Sequence, residues 1–256
     1  MKNNSNYSNA KTMIAGIKEF QSFVGVPVTG KLDRSTMKMM SMPRCGVKDK
    51  IGRSKRVKRY ELQGSTWKTK HLKYRIIKYP SKLQRETVDL MIRKAFDLWS
   101  NRSELMFEPV TDPKRFANIE IKFVKGKHGD DSPFEGPGGV LGHAFFPESG
   151  GDIHFDDEES WTIDSAMGTN LLQVANHEIG HSLGLSHSDE VDAAMSPLYT
   201  EYIPKYMLHN DDIQAIQKLY GMKIEREQDP ELPSDPTEDA WNKFWDRILM
   251  QYNNVD

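Results

Sequence analysis

The stretch His177-Glu178-Ile179-Gly180-His181-Ser182-Leu183-Gly184-Leu185-Ser186-His187 decides how the rest of this chain is read. Histidines at i and i+4 lie on one helix face, so the imidazoles of His177 and His181 converge on one point. Gly184 supplies the backbone freedom to turn the chain back, and that return delivers His187 to the same place. Three neutral imidazoles bind Zn2+ at about 2.0–2.1 Å and leave a fourth position open for a water acidified toward a pKa of about 7. Glu178 adjoins the first ligand without being one, where its carboxylate can take that water's proton and pass it to a leaving amine. A single helical histidine reads as a satisfied or exposed side chain. Five fixed positions together read as a catalytic metal site.

Working outward, the 256 residues suffice for one sizeable domain plus a smaller one. A formal net charge of -2, with acids and bases nearly balanced, gives no global case for nucleic acid or a membrane surface. No apolar run approaches the roughly 18–20 residues needed to span a bilayer, and Met1-Lys2-Asn3-Asn4-Ser5 lacks the apolar core of a signal peptide, so the expectation is a soluble chain or one whose leader is missing. The single cysteine, Cys45, rules out an internal disulfide framework and has to be explained individually.

Apolar residues Met13, Ile14, Ile17, Phe20, Phe23 and Val24 recur at helical spacing and predict a short amphipathic helix, after a polar, Asn-rich start. Asp33 can cap a second helix running to Met40. The basic run from Lys48 to Arg59 suits an exposed linker. Beyond it, His71–Tyr79 reads as a strand, Leu83–Trp99 as a long amphipathic helix, Ile119, Ile121 and Phe123 as an alternating strand, and Val140–Phe146 as another. That last strand lies inside a Gly/Pro-rich run from Gly126 to Gly151, long enough to imply a function. Helices follow at 169–183 and Asp211–Tyr220. After them come an acidic, Pro-containing linker and a short amphipathic segment marked by Trp241, Phe244, Trp245, Ile248 and Leu249.

Between Phe123 and Trp161, His128, Asp130, His143 and His154 offer four ligands, enough for a closed zinc site that stabilises because no position is left for water. Six of the eight histidines fall in these two constellations, which argues against scatter.

Ala194-Met195-Ser196-Pro197-Leu198-Tyr199 resembles the Met-turn beneath the metal, followed by a primed-side pocket wall. With the histidine motif, it makes the chain similar to the matrix metalloproteinases, or matrixins, from about Ile17 to Gly221. The resemblance implies an α+β, zincin-like metzincin catalytic domain at 60–222, with a twisted, mixed, antiparallel-edged sheet and helices. A small helical prodomain at 1–59 precedes it and the tail 223–256 follows. It implies a Ca2+ loop with carbonyls of Gly136, Gly138 and Val140 and carboxylates of Glu135, Asp156 and Glu159, where the family usually has Asp at the position of Glu135. A second Ca2+ position is implied at Asn118, Gly150 and Asp152, again with Asp commoner where Asn118 stands. Gln173, four residues before His177, is implied as the residue setting the depth of a pocket shared with Pro197 and Tyr199.

Pro43-Arg44-Cys45-Gly46-Val47-Lys48-Asp49 resembles the cysteine switch of matrixin propeptides. A thiolate is a strong zinc ligand, so Cys45 at the open position would displace the water and leave the chain latent. The resemblance adds an Arg44–Asp49 pair, and Lys48 stands where the family has Pro. Arg53-Ser54-Lys55-Arg56 and Arg56-Val57-Lys58-Arg59 have the form cut by furin-like convertases; cleavage after Arg59 would release Cys45, start a mature chain at Tyr60 and imply the secretory pathway. The resemblance implies that the new ammonium docks on an Asp such as Asp211 or Asp212. The expected protein is a secreted, monomeric, extracellular peptidase using Zn2+ and Ca2+. Its expected partners are extended polypeptide substrates, an activating convertase and proteinaceous metalloproteinase inhibitors. The rivals are another metzincin branch, disfavoured by the single cysteine and by Ser188 where astacins have Glu, and a non-catalytic metal-stabilised binding module. No trace of a haemopexin-like domain follows.

Overall fold

Leu72 and Tyr74 alternate with polar neighbours along His71–Lys78, and this period of two makes the first long strand of the sheet, β2. The computed structural model describes residues 3–49 and 63–223, with the backbone alone for residues 3–10. The elements, in chain order, are α1 (Asn3–Phe23), α2 (Arg34–Met40), β1 (Arg44–Cys45), β2, α3 (Arg85–Ser100), β3 (Met106–Pro109), β4 (Ile119–Val124), β5 (Val140–Ala144), β6 (Ile153–Asp156), β7 (Trp161–Thr162), β8 (Thr169–Asn170), α4 (Leu171–Ser182) and α5 (Asn210–Tyr220). The basic linker with Arg56, Arg59 and Tyr60 and the apolar tail segment lie outside the described residues.

The main sheet has the order β1-β5-β6-β4-β2-β3. Its β2–β3, β2–β4 and β4–β6 pairs are parallel, and β5 runs antiparallel to β6. The antiparallel pairing therefore lies one strand in from the β1 edge, where β1 runs parallel to β5; the β3 edge is parallel too, because α3 carries the chain back across the sheet between β2 and β3. On α3, the predicted stripe Val88, Met91, Ile92, Ala95, Phe96 and Trp99 is buried. Phe96 stacks on Tyr74 with ring centroids 4.2 Å apart, and each such fully buried side chain stabilises the fold by roughly 1.5–3 kcal/mol. Helix α4 packs behind α3, tied by the Trp99 indole, which donates to the carbonyl of Asn176 at 3.0 Å.

The reading of the sequence names no strand at β1, β3, β6, β7 or β8, and α1 and β6 show why patterns mislead. Helix α1 begins at Asn3, ten residues before the apolar stripe; Ile17 and Gln21 within it and Val24 just beyond its end are buried, while Met13 and Ile14 are exposed. The polar Gln21 does the organising, because its carboxamide meets Thr29, the Lys31 carbonyl, Thr36 and the Gly30 N–H. Strand β6 was invisible as a strand. All four of its residues are buried, as in a strand covered on both faces, so the alternation that announces a strand is missing. Asp33 does cap α2, its carboxylate accepting from the Thr36 N–H at 3.0 Å.

Candidate metal centres

Helix α4 carries His177, Glu178 and His181, and its N-cap Asn170 accepts from the Gln173 N–H at 3.1 Å. The chain leaves the helix through Gly184, at φ 99°, where a Cβ would run into the Ser65 carbonyl. The turn brings His187 back to the first two histidines, with His181 and His187 ring centroids 4.7 Å apart. Below them lies Met195, 2 % exposed, packed so closely on Gly180 that any side chain there would collide with its sulfur.

The carbonyls of Ala194 and Leu185 lie 2.7 Å from Nδ1 of His177 and His181, so those nitrogens carry the protons and donate. Both Nε2 atoms are then bare, yet they face each other at 3.1 Å. Two lone pairs hold such a distance in a buried site only with a cation between them, and burial pushes both rings below the usual imidazole range, His177 to about 3. The donor set therefore fits Zn2+. Cys45 Sγ, His177, His181 and His187 all offer ligand atoms within 4.8 Å of one another.

Glu178 is fully buried, and burial pushes its carboxyl up to about 8; Oε1 has no partner and Oε2 lies 3.6 Å from Cys45 Sγ. Burial, then the Glu178 carboxylate, pushes the Cys45 thiol well up in the same environment. The segment bearing Cys45 is seated from both sides. Gly46 N–H donates to the Gly142 carbonyl of β5 at 2.8 Å, and Arg44 N–H to that of Gly139 at 3.0 Å. On the opposite wall, Cys45 N–H donates to the Pro197 carbonyl and Tyr199 N–H to that of Pro43, each at 2.9 Å. Gly46 leaves no room for a side chain, since a Cβ would come within 2.7 Å of Val140. Arg44 pairs with Asp49, as the resemblance implied.

The loop set also converges. Asp130 Oδ2 lies 2.9, 3.0 and 2.8 Å from nitrogens of His128, His143 and His154, and His143 Nε2 lies 3.0 Å from His154 Nδ1. The Gly126 carbonyl orients His128 through Nδ1. Burial pushes His154 down to about 4 and lowers His143 as well, and three imidazoles gathered on one carboxylate make a second fit to Zn2+.

The proposed calcium ligands gather only in part. Gly138 N–H donates to Glu159 at 2.6 Å, and the buried Asp156 keeps Oδ2 without a partner, as a cation ligand would. Glu135, by contrast, is exposed on the loop, and the three carboxylates form no cluster, so geometry adds nothing for Glu135. For Asn118 and Asp152, side-chain oxygens accept from the N–H groups of Lys73 and Glu120, at 2.9 and 3.0 Å, which ties them to the sheet; Gly150 is an exposed left-handed turn residue.

Asp212 holds the Met-turn, accepting from the N–H groups of Ala194 at 2.8 Å and Met195 at 3.1 Å, while Asp211 accepts from the Ser188 hydroxyl at 2.6 Å. Neither carboxylate is free in this form. Beside the histidines a cleft is lined by Gln173, Val174, Pro197, Tyr199 and Tyr206. Sequence reading missed Tyr206, Asn176 and the contact of Asp49 with His187. Only the burial of a polar Asn beside a ligand histidine could have hinted at the second.

Comparison with known proteins closes the case. The family model described as matrixin matches residues 66–221, and one described as a putative peptidoglycan binding domain matches residues 8–40. Human matrilysin is 42% identical over 224 residues, covering 86% of this chain and 80% of that protein. Pig interstitial collagenase is 45% identical over 232 residues, 89% of this chain and 46% of that protein. Human matrix metalloproteinase-16 is 45% identical over 228 residues, 83% and 37% respectively, so the chain spans less than half the length of these last two relatives. The chain belongs to the matrixin family.

Proposed function

We propose that the chain is the latent form of a secreted, zinc-dependent endopeptidase that hydrolyses peptide bonds of extracellular matrix or other extracellular proteins. The observation that carries this reading is the seating of Cys45 against three converging histidines and the buried Glu178, with its flanking backbone hydrogen-bonded on both sides. His177, His181 and His187 would hold the catalytic zinc, and His128, Asp130, His143 and His154 the structural one. Carbonyls of Gly136, Gly138 and Val140, with Asp156 and Glu159, would serve Ca2+. Zinc, when bound, supplies an acidified water and polarises a carbonyl.

The chain's own residues do the rest. Glu178, fully buried beside the three histidines, takes the proton of the attacking water on its carboxylate and returns it to the leaving amine. The Gly139 and Gly142 carbonyls and the Pro197 carbonyl, which now hold residues 44–46, become the pairing positions for an extended substrate once that segment leaves. A convertase cutting the basic run at Arg56 or Arg59 would release residues 1–59 from a catalytic unit at 60–222. A binding module without catalysis has no use for a buried carboxylate beside its ligands. Among the described residues no helix is long and apolar enough to cross a membrane.

The test is hydrolysis of a quenched peptide by the full chain before and after cleavage in the basic run, with and without chelator. Activity appearing only after cleavage and abolished by chelator is the expected result; a cleaved, zinc-loaded chain without activity would overturn the proposal.

A further inference from the structure

The N-cap of α4, Asn170, and two polar residues within the helix, Gln173 and Asn176, follow one another at i, i+3 and i+6, and each meets a successive point of the irregular segment 199–206. The Asn170 N–H donates to the Tyr199 hydroxyl at 3.0 Å. Gln173 binds the backbone on both sides of its carboxamide, Nε2 donating to the Glu201 carbonyl at 3.0 Å and Oε1 accepting from the Ile203 N–H at 2.8 Å. Asn176 Nδ2 donates to the Tyr206 hydroxyl at 3.2 Å. Between Tyr199 and Tyr206 no described residue lies in a strand or helix, so the Asn170 N–H and the carboxamides of Gln173 and Asn176 stand in for the ladder that regular structure would supply.

We infer that Asn176, through Tyr206, is a positioning residue that sets how far the substrate pocket opens, acting with Gln173 as a two-point latch between the ligand-bearing helix and the pocket's outer wall. The inference rests on the proposed peptidase reading of the cleft. Tyr206 and Gln173 both line that cleft, whereas Asn176 is fully buried behind it. Asn176 Oδ1 has no partner, so Tyr206 is the only group among the described residues that its carboxamide meets. A side chain needed only to fill that space would cost less as an apolar group, because a half-satisfied buried amide carries an uncompensated desolvation penalty. Gln173 does not act as a plug of fixed length; both ends of its carboxamide are spent on the wall. With the latch closed the wall stays against α4 and the pocket admits side chains of the size of Leu, Met or Ile. With it open the far end yields to longer ones.

Two measurements decide it. In the full uncleaved chain, hydrogen exchange at the Ile203 amide should be faster in Gln173→Leu, and exchange across 203–206 faster in Tyr206→Phe, which removes the hydroxyl and keeps the ring. In the chain cleaved at the basic run, kcat/KM is compared for peptides with P1′ Leu and with a para-extended phenylalanine. Tyr206→Phe and Asn176→Ala should each raise the long-to-Leu ratio about fivefold, with the double variant no further than either single one. An unchanged ratio with unchanged exchange, or an equal fall on both peptides, would overturn the latch. If the cleaved wild-type chain hydrolyses neither peptide, the peptidase reading fails, and the exchange measurement still decides the latch.

Discussion

Asp49 Oδ1 lies 3.1 Å from Nδ1 of His187, so a carboxylate ahead of the basic run meets the one histidine of the proposed catalytic trio that no backbone carbonyl orients. His177 and His181 take their orientation from Ala194 and Leu185 within the catalytic part. The same carboxylate pairs with Arg44, so the segment from Arg44 to Asp49 grips the site at the thiol and at the third histidine together.

Asp49→Asn should loosen that grip. Partners behind a ligand histidine are worth about 10- to 100-fold in metal affinity, so the uncleaved variant should lose zinc to a chromogenic chelator about tenfold faster and leak activity. Wild-type release kinetics in the variant would show that the contact holds nothing.

Cys45→Ser should yield a precursor that hydrolyses peptide without cleavage, because a hydroxyl is a far poorer zinc ligand than a thiolate. The check is activity of the intact chain alongside a gel showing an uncut basic run. A latent Cys45→Ser precursor, beside an active processed enzyme, would mean the backbone pairing of residues 43–46 blocks the cleft unaided.

Glu178→Ala should retain zinc while turnover falls by about 10²–10⁴ or more, since the three imidazoles and their orienting carbonyls are untouched and only the proton acceptor is gone. Metal content by atomic emission and kcat on one preparation test this together. Near-normal turnover in a zinc-loaded variant would remove Glu178 from the chemistry.

Zinc stoichiometry separates the two clusters. The wild-type chain should carry two equivalents, and His143→Ala should carry one and melt at lower temperature, because its cluster has no open position and acts on stability alone. Two equivalents in the variant would show that the loop cluster is not a zinc site.

Glu108 gives a prediction about pH. Burial opposes its charge, but His71 and Lys73 more than offset that and hold the carboxyl down at about 2, with Arg115 also 2.8 Å away. A folded-state pKa below the unfolded value of 4.5 contributes stability that is fully present above that value. It is lost as the pH falls toward about 2. Glu108→Gln should therefore lower stability by roughly 2–3 kcal/mol at pH 7 and by much less at pH 3, read from denaturant midpoints at the two pH values. An equal deficit at both would mean the loss is one of packing.

The sequence by itself determined the parts that rest on short-range periodicity and on the chemistry of single residues. Helical spacing puts His177 and His181 on one face whatever surrounds them; Asp33 caps its helix through its own neighbours; a lone thiol near an open zinc position has one strong use. Tertiary structure alone decided contacts between residues far apart in the chain whose types carry no mark of each other. Nothing local pairs Asp49 with His187 or Asn176 with Tyr206, and nothing in Ile153–Asp156 alternates, since a strand covered on both faces hides its period. For the same reason Met13 and Ile14 read as a buried stripe and stand exposed. A helix pattern shows which residues share a face, and only the packed chain shows whether anything covers it.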